Sequence, residues 1–170
     1  MDADMDEKWA GKIILAQHEH DLITPRLAVG SGVYSAVDVD SLEFQGFTHV
    51  LDLRGTREGE KLYIGRKIDM NCLPSDDDGT PRKWEWLRDG VRFGCHALRE
   101  GGKLLVHCAA GWHRSPSMAY AILRVRGMAA LDAEKKIVKA RAKAKIAYKA
   151  CVEKHLSDLR EMVRRDENGF

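Results

Sequence analysis

Cys108 and Arg114 are separated by five residues in the segment Val106-His107-Cys108-Ala109-Ala110-Gly111-Trp112-His113-Arg114-Ser115-Pro116. The residues before it, Leu104-Leu105-Val106, read as a short buried strand, and those after it, Met118 to Val125, as a helix apolar nearly all round. A loop that runs into a helix aims its free backbone N–H groups at one point, and the macrodipole adds partial positive charge there. Such a place suits a phosphate dianion. Gly111 lets the backbone turn tightly, and the planar guanidinium of Arg114 can grip two phosphate oxygens at once where lysine cannot. The same surroundings favour thiolate over thiol at Cys108, which makes it a nucleophile at neutral pH. His107, Ala109, Ala110, Gly111, Trp112, His113 and Ser115 are the candidate substrate-binding residues around it. His107 reads as a positioning residue that bonds loop backbone and tunes the thiolate. Trp112 and His113 stand on the loop crest and either touch substrate or cover the loop.

The elements that must position this loop follow from pattern. Ile23 to Gly30 reads as two short strands hinged at Pro25, and the Ser35/Asp38 pair with Gly46 brackets a helix over residues 36 to 45. Val50-Leu51-Asp52-Leu53 is a buried strand, and Ile68 to Leu73 another that stops at Pro74 and the acidic cluster Asp76-Asp77-Asp78. Pro81 is placed to start a helix whose buried stripe is Trp84, Leu87, Val91, Cys95 and Leu98. Two more helices follow, from about Leu131 to Ala144 and along Tyr148, Val152, Leu156, Leu159 and Val163. Strands alternating with helices predict an α/β fold with a central, largely parallel sheet of four to five strands flanked by helices.

At 170 residues and 44% hydrophobic content the chain accommodates one domain. Residues 1–20 read as an N-terminal extension with a packed Ile13-Ile14-Leu15 segment, and residues 21–170 as the domain itself. The apolar runs are shorter than a membrane span, and the acidic N-terminus lacks the pattern of a signal peptide, so a soluble, cytoplasmic protein is expected. Four widely spaced cysteines without a Cys-x-x-Cys argue against a disulfide scaffold and a cysteine zinc site. A net charge of +2 leaves any preference for acidic ligands to a local patch. Lys135, Lys136, Lys139, Arg141, Lys143, Lys145 and Lys149 form such a run, either a solvated helical face or, as a basic helix over 135–149, a docking surface for an acidic partner. His18 and His20 read as solvated. Adjacent carboxylates at Asp76 to Asp78 point in different directions and lack matching histidines, so no metal site is expected there.

In its extended form, His-Cys-x-x-Gly-x-x-Arg-Ser, the loop resembles the signature of the protein tyrosine phosphatase superfamily. The stretch Ile23 to Leu53 is similar to the opening of dual-specificity phosphatases, and Cys72-Leu73-Pro74-Ser75-Asp76-Asp77 to the segment that carries their general acid. From there to Cys108 the chain can be laid on the MAP-kinase phosphatases without a gap, and the likeness covers about residues 22 to 165. It implies a dual-specificity phosphatase catalytic domain, a shallow pocket, no metal or other cofactor, and a two-step reaction through a phosphocysteine. A phosphorylated protein substrate is implied with it. The general acid falls on Asp77 in this comparison, with Asp76 as the alternative and Asp78 just beyond. Ser115 would donate a hydrogen bond to the departing Cys108 sulfur. Glu58 is a candidate brace for Arg114. Three other readings stand beside this one: the same chemistry on a phosphoinositide, nucleotide or RNA 5′ phosphate, a phosphobinding module without turnover, and sulfur transfer by a rhodanese-like loop.

Overall fold

The computed structural model describes residues 17–169; the Ile13-Ile14-Leu15 segment lies outside them. A five-stranded sheet runs in the order β1-β2-β5-β3-β4. Its strands are β1 (His20–Thr24), β2 (Leu27–Gly30), β3 (His49–Asp52), β4 (Asp69–Cys72) and β5 (Leu104–His107). β1 and β2 form an antiparallel hairpin around Pro25 and Arg26, and every other pairing is parallel. The helices are α1 (Ala36–Phe44), α2 (Trp84–Arg99), α3 (Arg114–Val125), α4 (Ala130–Ala140) and α5 (Lys149–Glu167), with a 3-10 turn at Glu58–Tyr63. The expected α/β architecture is what forms.

β5 is fully buried because it is central, with a core on each face. Alternation along the strands sends Leu104, Val106, Leu27, Val29 and Leu51 toward α2, α3, α4 and α5, and Leu105, Ala28 and Val50 toward α1 and the 3-10 turn. Each such aliphatic side chain stabilises the fold by roughly 1.5–3 kcal/mol over leaving it exposed. The parallel register brings Gly30, His107, Asp52 and Cys72 into one row at the carboxyl edge of the sheet. Loops that leave β3, β4 and β5 therefore converge there, the side of an open parallel sheet where ligands are bound.

Helix boundaries follow local chemistry where it is strong. Ser35 Oγ accepts from the Asp38 N–H at 3.2 Å while Asp38 Oδ2 accepts from the Ser35 N–H at 3.0 Å, and Gly46 follows at φ 82°. That capping box contributes about 1 kcal/mol and starts α1 where the pattern puts it. Elsewhere tertiary contacts move the ends. α2 begins at Trp84 rather than Pro81, because Arg82 turns back to bond the carbonyls of Asp76 and Thr80 and the Asp78 carboxylate. α4 stops at Ala140 rather than Ala144, where Arg141 turns inward to bond the carbonyls of Ala110 and Gly111.

The basic run is consequently not one helix over 135–149. Lys135, Lys136 and Lys139 lie on α4, residues 141–148 form a turn, and Lys149 opens α5 paired with Glu134. Arg141, far from solvated, is 5% exposed and paired with Glu19 and Asp21. His18 is also buried rather than solvated, its Nε2 3.0 Å from the Ser31 carbonyl oxygen, and His20 opens β1 as a half-buried residue. No helix among the described residues is long and apolar enough to cross a membrane.

Candidate active site

The loop between β5 and α3 wraps the sulfur of Cys108. Gly111 sits at φ 71°, and a Cβ added there would meet the Gly30 carbonyl oxygen at 2.5 Å, so glycine is required by both conformation and space. Cys108 is buried, with its Sγ 3.3 Å from Ser115 Oγ. Burial pushes this thiol up, but the Ser115 hydroxyl, the N–H groups of Ser115 and Gly111 and the charge of Arg114 outweigh it and hold it below its ordinary value. Arg114, on the first turn of α3, is buried and donates through Nη1 to the carbonyls of Leu53, just past β3, and Ser75, just before the acidic cluster. Glu58 does not brace it. That residue is exposed on the 3-10 turn, and backbone carbonyls take its place.

His107 lies wholly buried beneath the loop, Nδ1 3.3 Å from the Cys108 carbonyl oxygen and 3.8 Å from Asp52 Oδ1. Burial lowers its pKa to about 4 against the pull of Asp52, so the ring is neutral at pH 7 and its contact with Asp52 is not an ion pair. Asp52 spends its charge on Arg54, whose Nε and Nη2 reach its oxygens at 3.1 and 2.7 Å. Of the remaining loop residues, Ala109, Ala110 and Trp112 are exposed, Gly111 and Ser115 are buried, and His113 is half-buried. The Trp112 ring carries the Lys143 ammonium 5.2 Å from its centroid.

Asp77 meets the loop. Its Oδ2 lies 2.8 Å from His113 Nδ1, and its Oδ1 accepts from the Tyr148 hydroxyl at 3.1 Å. Asp78 is instead tied to Thr80 and Arg82, and Asp76 Oδ1 lies beside Gly55. Tyr148 and Arg141 are the residues that sequence reasoning missed as part of this site. Tyr148 was legible only as the first of a helical stripe and Arg141 only as one cation in a basic run; each meets the site across 30 or more residues. Among the described residues no group of three or more His, Cys, Asp and Glu side chains is arranged to hold a metal ion.

Comparison with known proteins gives this geometry a context. A family model for the catalytic domain of dual specificity phosphatases matches residues 31–162. Human dual specificity protein phosphatase 2 is 30% identical over 119 residues, which is 70% of this chain and 37% of that protein. The chain spans well under half the length of the curated relatives it matches. Among solved structures, that of DUSP15 superposes with a TM-score of 0.75 at 20% identity, covering 90% of this chain and 97% of that one. PTPMT1 in complex with PI(5)P superposes at 0.72 and 17% identity, covering 82% and 96%. Those structures share the fold, and the matched family model spans the loop, the acidic segment and the helices that hold them. The chain belongs to the dual-specificity phosphatase family of the protein tyrosine phosphatase superfamily.

Proposed function

We propose that this chain hydrolyses phosphate monoesters on proteins, with Cys108 as nucleophile, Arg114 as phosphate grip and Asp77 as general acid. The observation that supports this most is the contact of the Asp77 carboxylate with His113 on the very loop that surrounds Cys108. With Asp77 held against the crest of the loop and Cys108 within it, a phosphorus bound in the loop would lie between acid and thiolate. The Cys108 thiolate attacks phosphorus, the bond to the ester oxygen breaks, and Asp77 gives that oxygen its proton. In the second step Asp77 takes a proton from water as it attacks the phosphocysteine, and the sulfur leaves as thiolate beside the Ser115 hydroxyl. Arg114 Nε is buried without a hydrogen-bond partner among the described residues, a need that a phosphate oxygen would meet.

Phosphotyrosine is the substrate proposed, with phosphoserine and phosphothreonine beside it. A second reading, a non-protein polyanion, is favoured by Lys143 and Lys145 next to the exposed Trp112 and by the PI(5)P held by a protein of the same fold. Turnover of phosphotyrosine peptides against a phosphoinositide in detergent separates the two. Cys108→Ser and Arg114→Ala are each expected to remove measurable hydrolysis of an aryl phosphate, while Cys108→Ser retains capture of phosphorylated substrate. Residual hydrolysis by Cys108→Ser at the wild-type rate would overturn the mechanism, and turnover by the wild type removes a phosphobinding module.

A further inference from the structure

Five successive carbonyls of the loop have a partner, four of them from outside the loop. The Cys108 oxygen lies 3.3 Å from His107 Nδ1, and the Ala109 oxygen accepts from the Gly32 N–H at 2.9 Å. The Ala110 oxygen accepts from Arg141 Nη2 at 2.9 Å, the Gly111 oxygen from Arg141 Nε at 2.8 Å, and the Trp112 oxygen from the Lys145 N–H at 2.7 Å. The loop peptides are trans, and in a trans peptide the C=O of one residue and the N–H of the next point in opposite directions. Each carbonyl held outward therefore turns the following N–H inward. For the Ala110 carbonyl that group is the Gly111 N–H, one of the groups that hold the Cys108 thiol below its ordinary value. For the Gly111 carbonyl it is the Trp112 N–H.

Arg141 thus supplies two of the five holds from one planar side chain. Its outer face is occupied by acids, with Nη1 2.9 Å from Glu19 and 2.7 Å from Asp21. We infer that Arg141 is a positioning residue of the phosphate-binding loop, turning the Gly111 and Trp112 N–H groups onto the thiolate and the substrate phosphate, and that Glu19 and Asp21 hold it in register. The inference rests on the phosphatase reading above. Two carboxylates offset the guanidinium charge, so its contribution is direction more than field. A lysine in its place would keep the charge but lack the in-plane pair of donors that spans two adjacent carbonyls.

The test uses the full chain and three readings: vanadate protection of Cys108 from iodoacetate, the pH of half-maximal alkylation, and melting temperature. Arg141→Met is expected to weaken vanadate binding about ten-fold, the scale of one or two lost hydrogen bonds, and to raise the alkylation midpoint by about one unit. Arg141→Lys is expected to recover melting temperature without recovering vanadate affinity, a split that a merely structural role would not produce. A folded Arg141→Met with wild-type protection and midpoint overturns the inference, as does full rescue by Arg141→Lys. Should Arg141→Met fail to fold, Arg141→Lys and the paired Glu19→Gln, Asp21→Asn variant decide it on the same two readings. A wild-type Cys108 that reacts as an ordinary thiol and ignores vanadate would overturn the phosphatase reading itself; an intact wild-type cradle beside an indifferent variant overturns only the role of Arg141.

Discussion

At the scale of single residues, Asp77 differs from its acidic neighbours in what its carboxylate touches. Asp78 is committed to Thr80 and Arg82, whereas Asp77 reaches His113 on the Cys108 loop and Tyr148 beyond it. Asp77→Asn keeps the shape and removes the proton, so turnover of a poor leaving group should fall by about 10²-fold or more, the usual scale of general acid catalysis. With a good leaving group, which departs without help, the loss should shrink. Rate measurements on alkyl and activated aryl phosphates check this. If Asp76→Asn carries that dependence and Asp77→Asn does not, the acid is the preceding residue.

At the scale of elements, the start of α5 is what keeps Asp77 near the loop. The Tyr148 N–H donates to Ser117 Oγ at 3.1 Å, and that hydroxyl donates to the His113 carbonyl at 2.7 Å, so the first turns of α3 and α5 are tied together. The Tyr148 ring packs on the Arg82 guanidinium, 4.5 Å from its centroid, and on the edge of Trp86. Burial and the neighbouring Asp77 raise its phenol, which stays protonated and donates. Tyr148→Phe removes only the hydroxyl. Losing one hydrogen bond of about 1 kcal/mol should lower kcat on a poor leaving group roughly five-fold with KM little changed. An equal loss on good and poor leaving groups would show that Tyr148 does not act through Asp77.

At the scale of the whole molecule, the fold keeps several imidazoles neutral, and this sets its response to acid. Burial lowers the pKa of His18, His20 and His49, and brings that of His107 to about 4. The unfolded chain takes up protons near the ordinary value of about 6.5 that the folded one refuses, so stability is full above that pH and declines as pH falls toward about 4. His107 by itself accounts for about 3 kcal/mol of that decline. Asp52 works in the same direction at lower pH. Burial raises its carboxyl but Arg54 and His107 outweigh it, so its contribution holds above the ordinary carboxylate pKa and is lost as pH drops through the depressed one. The melting temperature should therefore drop markedly between pH 7 and pH 5. A flat profile over that range would mean these rings are not held neutral.

The family, the fold and the candidate site of this protein were legible in its sequence wherever the pattern is local. Cys108, Gly111, Arg114 and Ser115 lie on one loop between two strongly apolar segments, and strand and helix follow from alternation, stripes, a capping box and turn glycines, all of which act over a few residues. Five strands, the parallel core of the sheet and the loop at its carboxyl edge came out as those patterns require. What joins residues far apart was decided by packing. Which aspartate faces the loop, where α4 ends, why Arg141 and His18 are buried, and that Leu53 and Ser75 rather than Glu58 hold Arg114 all depend on contacts across 13 to 122 residues. No periodicity encodes such contacts. They exist because the parallel register gathers the ends of β2, β3, β4 and β5 into one row, and only then do side chains from distant segments find the loop's outward carbonyls.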